Sequence, residues 1–160
     1  MTWQYIQLEP KHHPPVWQPV LAHRSTTKYV QYGNGYNGPE RRDILTLDYW
    51  NGRWQHVGSG SYIGYFPILP LTYWNRKWKI LDGKNYLIYI ERPYKAKGIL
   101  FEGLFAARSL YQPYGLSWVC LRHHWCDKEK YFVISQNAVS HWMLFPTLKD
   151  VPSNVIESEA

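Results

Sequence analysis

Asp43-Ile44-Leu45-Thr46-Leu47-Asp48-Tyr49-Trp50-Asn51-Gly52-Arg53-Trp54-Gln55-His56-Val57 places two runs rich in β-branched and aromatic residues on either side of an Asn-Gly pair. Asn-Gly is what a two-residue type I′ turn selects, because both turn positions need positive φ, so the stretch predicts a β-hairpin closed at Asn51-Gly52. In that register Trp50 faces Arg53, Tyr49 faces Trp54, Asp48 faces Gln55 and Leu47 faces His56. Leu45, Leu47, Tyr49 and Trp54 then share one face, expected to be core. Thr46, Asp48, Trp50, Arg53 and Gln55 share the other, where Arg53 is expected to stack on Trp50 for roughly 0.5–1 kcal/mol. Any function of the hairpin belongs on that second side.

Composition supports the β reading. Nine Trp and fourteen Tyr against five Phe give mostly rings with a polar handle, which suit strands and binding surfaces alike. Eleven Gly and eleven Pro punctuate the 160 residues every few positions, poor material for long helices. The expected class is mainly β, with small antiparallel barrel-like sheets and few or no long helices. The length suffices for a core without staples. The expected layout is one compact domain over 1–149, built as two related halves at 1–77 and 78–149 if an internal echo is real, with a flexible acidic tail over 150–160. That echo sets Tyr65-Phe66 followed by Leu71-Thr72-Tyr73-Trp74 against Tyr131-Phe132 followed by Val139-Ser140-His141-Trp142.

The formal charge of +6 favours anionic partners, although the positive residues are spread along the chain as solubility also requires. Two cysteines make no disulfide framework, and the first ten residues lack the apolar core of a signal peptide, so a reducing, cytoplasmic compartment is expected. No apolar run approaches the ~20 residues that span a bilayer, so no membrane partner is expected.

Along the chain, Trp3 to Leu8 alternates weakly and predicts an edge strand, which could also pair between copies in a homo-oligomer. Pro10, Pro14, Pro15 and Pro19 keep the next arm, with His12 and His13, extended and exposed. Val20 to His23 predicts a short buried strand, and Lys28 to Gln31 a second one pairing back on it. Tyr32 to Pro39 predicts a long hairpin connection that can close over a ligand, with Tyr32 and Tyr36 as stacking candidates. It lacks the helix and the Lys-Ser/Thr pair of a phosphate loop. Further strands are expected at Tyr62 to Phe66, Tyr86 to Ile90 and Ala138 to Leu144. Asp82-Gly83 signals another hairpin, and Trp118 to Trp125 is expected to pair with Tyr131 to Ser135. Gly98 to Leu110 reads as a strand bulged at Gly103, with a short helix as the rival.

Cys120, His124 and Cys126 fall on one side of a strand, with His123 opposite and His141 as a conceivable fourth metal ligand. Paired Cys-x-x-Cys knuckles and helical His pairs are both missing, so ordinary strand residues are expected, with no metal and no cofactor. No Gly-x-Ser-x-Gly elbow is present, and no spacing ties a histidine to a Ser, Cys or Asp, so catalysis is not expected. Arginines interleaved with Trp and Tyr are what a base with phosphates needs, each stacked base contributing roughly 1–3 kcal/mol. The candidate ligand-binding residues are Tyr36, Trp50, Arg53, Arg24 and Trp125. Trp54, Trp118 and Trp142 are expected in the core.

Ala138-Val139-Ser140-His141-Trp142-Met143-Leu144-Phe145-Pro146 resembles the closing Val-Thr-His-Trp-Met-Pro-Leu-Pro segment of a family of small uncharacterised phage and prophage domains. The opening Trp3-Gln4-Tyr5-Ile6, Pro14-Pro15 and Gln18-Pro19-Val20-Leu21-Ala22 resemble that family's start, and Tyr49 to Trp54 its Trp-containing hairpin. The chain departs in carrying Leu144-Phe145 where the family has Pro-Leu, and in being about twice as long. The resemblance implies a mobile-element origin and a small β fold, and transfers no catalytic residue. The expectation that follows is a phage-encoded, non-enzymatic binding protein in the cytoplasm of a bacterial host. It would counter host defence by sequestering a nucleotide-derived signal. A single-stranded nucleic-acid-binding protein, a protein-docking inhibitor of a host defence effector and a nucleotide-degrading enzyme are the rival expectations.

Overall fold

The structure, a computed structural model, describes residues 2–9, 13–31, 33, 35, 37–55, 60–76, 83–96, 98–112, 115–121 and 131–157. The chain forms two units, one of residues 1–68 with 146–160 and one of residues 69–145. Each holds one antiparallel sheet, and α1, Ser153–Glu157, is the single α-helix among the described residues. The protein is mainly β, as the Gly/Pro punctuation and the rings imply.

In the first unit β1 (Ile6–Gln7), β2 (Val20–Gln31), β3 (Asn37–Asp48) and β4 (Ser61–Pro67) lie in the order β1-β4-β2-β3. The two short strands expected at 20–23 and 28–31 are one strand. It pairs with β3 from Val20↔Asp48 to Gln31↔Asn37, so the glycine-rich segment is a hairpin connection as expected.

The hairpin expected at Asn51-Gly52 does not form. Residues 43–48 pair backwards with β2, and beyond them, among the described residues of the hairpin, only the bridge Trp50↔Trp54 remains. Gly52 has φ 76° but Asn51 has no positive φ, so the type I′ turn is not made, and the Asn51 N–H donates to the Arg53 carbonyl at 3.0 Å. A turn dipeptide acts over a few residues, whereas the β2–β3 ladder satisfies backbone groups along two 12-residue strands. The longer ladder wins.

One face of this sheet holds Leu21, His23, Leu47 and Phe66. Trp3 and Tyr5 meet Phe66 edge to face, at 6.2 Å and 5.2 Å between centroids. Gly64 lies under the Tyr5 ring, and a Cβ there would run into that ring and stand 2.8 Å from the Ile6 carbonyl oxygen. A helical turn at Leu148–Asp150, closed by a Thr147–Asp150 capping box, leads into the segment expected from 150 on to be a flexible tail, which carries α1 with Val151 and Val155 buried.

The second unit has β5 (Asn85–Ala96), β6 (Ile99–Gln112), β7 (Gly115–Leu121), β8 (Tyr131–Ser135) and β9 (His141–Leu144) in the order β8-β7-β6-β5-β9. Gly98 to Leu110 is strand as expected, and Gly103, at φ 90°, pairs with Ile90 where the β5–β6 register slips, but the extra residues lie on β5, where 91–93 stand opposite Glu102, so the bulge is in the partner strand. The β7–β8 pairing matches the expected third hairpin. Asp82, and 122–125 of the segment expected to be strand, lie outside the described residues.

β8 and β9 are opposite edges of this sheet, so it is not closed. Across a flat five-stranded sheet those edges would stand about 19 Å apart. The link from Ser135 to His141 spends three residues on a 3-10 turn, and what remains is too short to span that width and the strand length together. The sheet therefore curls. Ile134 of β8, Val139 of the link and Trp142 of β9 join Tyr86, Ile88, Ile90, Phe101 and Ala107 in one core. No helix among the described residues is long and apolar enough to cross a membrane.

Candidate functional site

The centre of the site is Asp48, the last residue of β3. It was expected on an open face and is 4% exposed. A buried carboxylate is tolerated only when its lone pairs are used. Here Oδ1 accepts the backbone N–H groups of Tyr49 (2.7 Å) and Gln55 (3.0 Å), and Oδ2 accepts the Tyr62 hydroxyl (2.8 Å). Asp48 thus closes the 49–55 loop that the failed turn leaves behind.

In register Asp48 stands opposite Val20 and Tyr62 opposite Arg24, with β2 between them. The Tyr62 side chain must therefore cross β2. Between Val20 and Arg24 the side chain on that face is the methyl of Ala22, which leaves the room. Burial, and then the hydrogen bond to Asp48, raise the Tyr62 phenol well above its ordinary range, so it stays a protonated donor.

On this base the rings form a series. Trp54 stacks on Tyr62 with centroids 4.5 Å apart and planes parallel. Trp50 meets Trp54 edge to face at 5.7 Å and 70°. His13 stacks on Trp50 at 4.0 Å and 2°. The Trp17 ring tilts on Tyr49 at 5.2 Å, and the Trp17 backbone N–H donates to the Trp50 carbonyl at 2.9 Å. The expected placement of Trp54 in the core, opposite Trp50, is corrected. With three residues in the loop, Trp50 pairs with Trp54 and both rings project to one side.

The Arg24 guanidinium lies over Tyr62, 5.8 Å from the ring centroid, where the π face attracts a cation. Arg24 is 4% exposed, its Nε has no hydrogen-bond partner, and no carboxylate among the described residues pairs with it. Thr46 Oγ1 is also buried without a partner. By register Thr46 projects from the same face of the sheet, opposite Ala22.

Of the five candidates, the structure brings Trp50 and Arg24 into one cluster, joined by Trp54 and Tyr62. Arg53 is exposed on the adjoining loop, but the ring stacked on Trp50 is that of His13, not the Arg53 guanidinium expected there. Tyr36 and Trp125 lie outside the described residues. Sequence reasoning missed Tyr62, Asp48 and His13 as site members. His13 was expected to be exposed, and is, but no local signal joins it to a loop over 30 residues away.

Two other polar clusters bear on chemistry. In the first unit the fully buried His23 hydrogen-bonds Asp43 Oδ1 through Nε2 (2.7 Å) and the Tyr5 hydroxyl through Nδ1 (2.8 Å). Arg41 Nη2 donates to the same Asp43 oxygen (3.0 Å) and to the Val155 carbonyl (3.4 Å). The fold thus ties a histidine to an aspartate that no spacing linked. Burial, and then the Asp43 charge, raise the Tyr5 phenol, so the arrangement holds a proton on Tyr5 rather than making a nucleophile of it.

In the second unit His141 Nε2 accepts Arg76 Nε–H at 3.1 Å. Nδ1 therefore carries the proton and donates to Ser140 Oγ at 2.9 Å, and Ser140 donates to the Tyr89 carbonyl at 2.9 Å. His141 is neither a base toward Ser140 nor the spare metal ligand considered from sequence, since both nitrogens are engaged. No group of three His, Cys, Asp or Glu among the described residues could hold a metal ion. His123, His124 and Cys126 lie outside those residues, and the Cys120 side chain is not described. Compared with family models, with curated proteins and with solved structures, the chain matches none.

Proposed function

We propose that the first unit binds, without turnover, a flat aromatic anion of the nucleotide class at the Trp50–Trp54–Tyr62 rings, with Arg24 and Arg53 taking its charge. The observation that carries this reading is Arg24. Its Nε is buried with no hydrogen-bond partner, which costs about 1–3 kcal/mol until an acceptor is supplied. Its neighbour Asp48 spends its lone pairs on Tyr49, Gln55 and Tyr62. A ligand anion supplies the missing acceptor while its base stacks on the rings, and the net charge of +6 favours its approach.

Binding without turnover is supported by the same side chains, because Asp48 has three donors on it and Tyr62 holds its proton. With the resemblance of Ala138–Pro146 to phage and prophage domains, the reading extends to a phage-encoded protein that removes a nucleotide-derived signal of host defence.

The test is to incubate the protein with mono-, di- and cyclic nucleotides, remove free ligand, denature, and identify what is released by mass spectrometry. The expected result is intact nucleotide near one per chain, reduced at least tenfold in Arg24→Met and in Trp50→Ala. Recovery of a degraded product, or of nothing, overturns the reading. Retention of oligothymidylate alone, weakening steeply with salt, would instead assign the site to single-stranded nucleic acid.

A further inference from the structure

We infer, on the basis of that binding reading, that the His13 imidazole holds the place of the ligand's base on Trp50. The ligand is then a flat nitrogen heterocycle whose arrival displaces the His13 ring. The imidazole is parallel to the indole within 2° at 4.0 Å, the geometry a stacked base adopts, yet His13 itself is exposed. Among the described residues the arm is held to the loop by Pro14, which is buried, by the Trp17 ring tilted on Tyr49 and by the hydrogen bond from the Trp17 backbone N–H to the Trp50 carbonyl, so the exposed His13 ring is the part that moves.

Trp17 is the only non-glycine with positive φ among the described residues, at 66°. The turn that the Gln18 backbone N–H closes on the Pro15 carbonyl at 3.2 Å sets that conformation, so the arm keeps its shape while the exposed His13 ring leaves. The base then replaces one ring on Trp50 with a larger one.

The experiment measures the affinity of adenosine monophosphate for the unaltered protein, His13→Ala and His13→Trp, with ribose 5-phosphate as a probe that has no ring. Removing the competing ring should tighten the nucleotide about 3- to 10-fold, and the larger indole should weaken it by a similar factor. Ribose 5-phosphate should not distinguish the three proteins. Without any probe, acrylamide should quench the part of the fluorescence that Trp50→Phe abolishes more strongly in His13→Ala. Nucleotide affinity that is equal in all three proteins, or weaker in His13→Ala, overturns the placeholder and leaves the binding reading standing. If the nucleotide binds none of them, even with the Trp50 face bared, the binding reading fails and the inference with it.

Discussion

Asp48 shows how one side chain can decide a site. Three donors converge on its carboxylate, so Asp48→Ala strands two backbone N–H groups and a phenol and should cost about 3–4 kcal/mol. Asp48→Asn keeps one acceptor oxygen and should cost about half as much, and urea unfolding distinguishes the two. Arg24→Met is expected to move the other way, gaining about 1–3 kcal/mol as it loses nucleotide, because it removes a buried N–H that has no acceptor and keeps an apolar chain of similar shape. A guanidinium that merely braces the fold would give a loss in the same unfolding experiment. Tyr5 and Tyr62 supply a pH dependence. Both phenols are raised in the folded chain above the ordinary value of 10.0, so the unfolded chain releases these protons first. The stability they contribute is full below about pH 10 and falls as pH rises beyond it. Urea midpoints from pH 8 to 11 should show the fall, and Tyr62→Phe should make it shallower.

Among the elements, β2–β3 and the β5–β6 bulge set the two lessons of scale. The run Val20–His23 was readable as buried because all four residues point into packed surroundings, and each is fully buried. Gly103 was readable because only glycine sits easily at φ 90° within a strand. Nothing stands within 4 Å of a Cβ added there, so Gly103→Ala tests backbone strain alone and should cost about 1–2 kcal/mol in thermal or urea unfolding. Gly64 is the contrasting case, with ordinary φ and no space. Gly64→Ala should cost about 2–3 kcal/mol, and the loss should shrink in a Tyr5→Ala background, where the ring it meets is gone. The hairpin at Asn51-Gly52 was misread because its turn signal is local, while the partner that displaced it lies some 20 to 30 residues upstream.

At the scale of the molecule, the first unit is discontinuous in sequence, since residues 146–160 belong with residues 1–68. The last segment is therefore part of the unit's packing. Ending the chain at Phe145 removes the buried Val151 and Val155 and the carbonyl that Arg41 meets. The first unit should lose about 2–4 kcal/mol, seen as faster hydrogen exchange in the β2–β3 amides with less change in β5–β6. A signal for this segment was present but passed over: Thr147 and Asp150 have capping-box spacing, and Val151 and Val155 stand one helical turn apart. The acidic composition of the last residues outweighed it in the reading.

The sequence by itself determined the class of the fold. Ring content, glycine and proline spacing and apolar runs act through local conformational preference, and they read correctly as antiparallel sheet. Trp50, Arg53 and Arg24 are residue types that suit the stacked anion proposed above. Only the tertiary structure decided which strand β3 pairs with, that Asp48 is buried, and that Tyr62 crosses β2 to place Arg24 beside the tryptophans. Those outcomes depend on register between strands far apart in the chain. A one-residue difference in loop length moves a ring to the opposite face, as it did for Trp54.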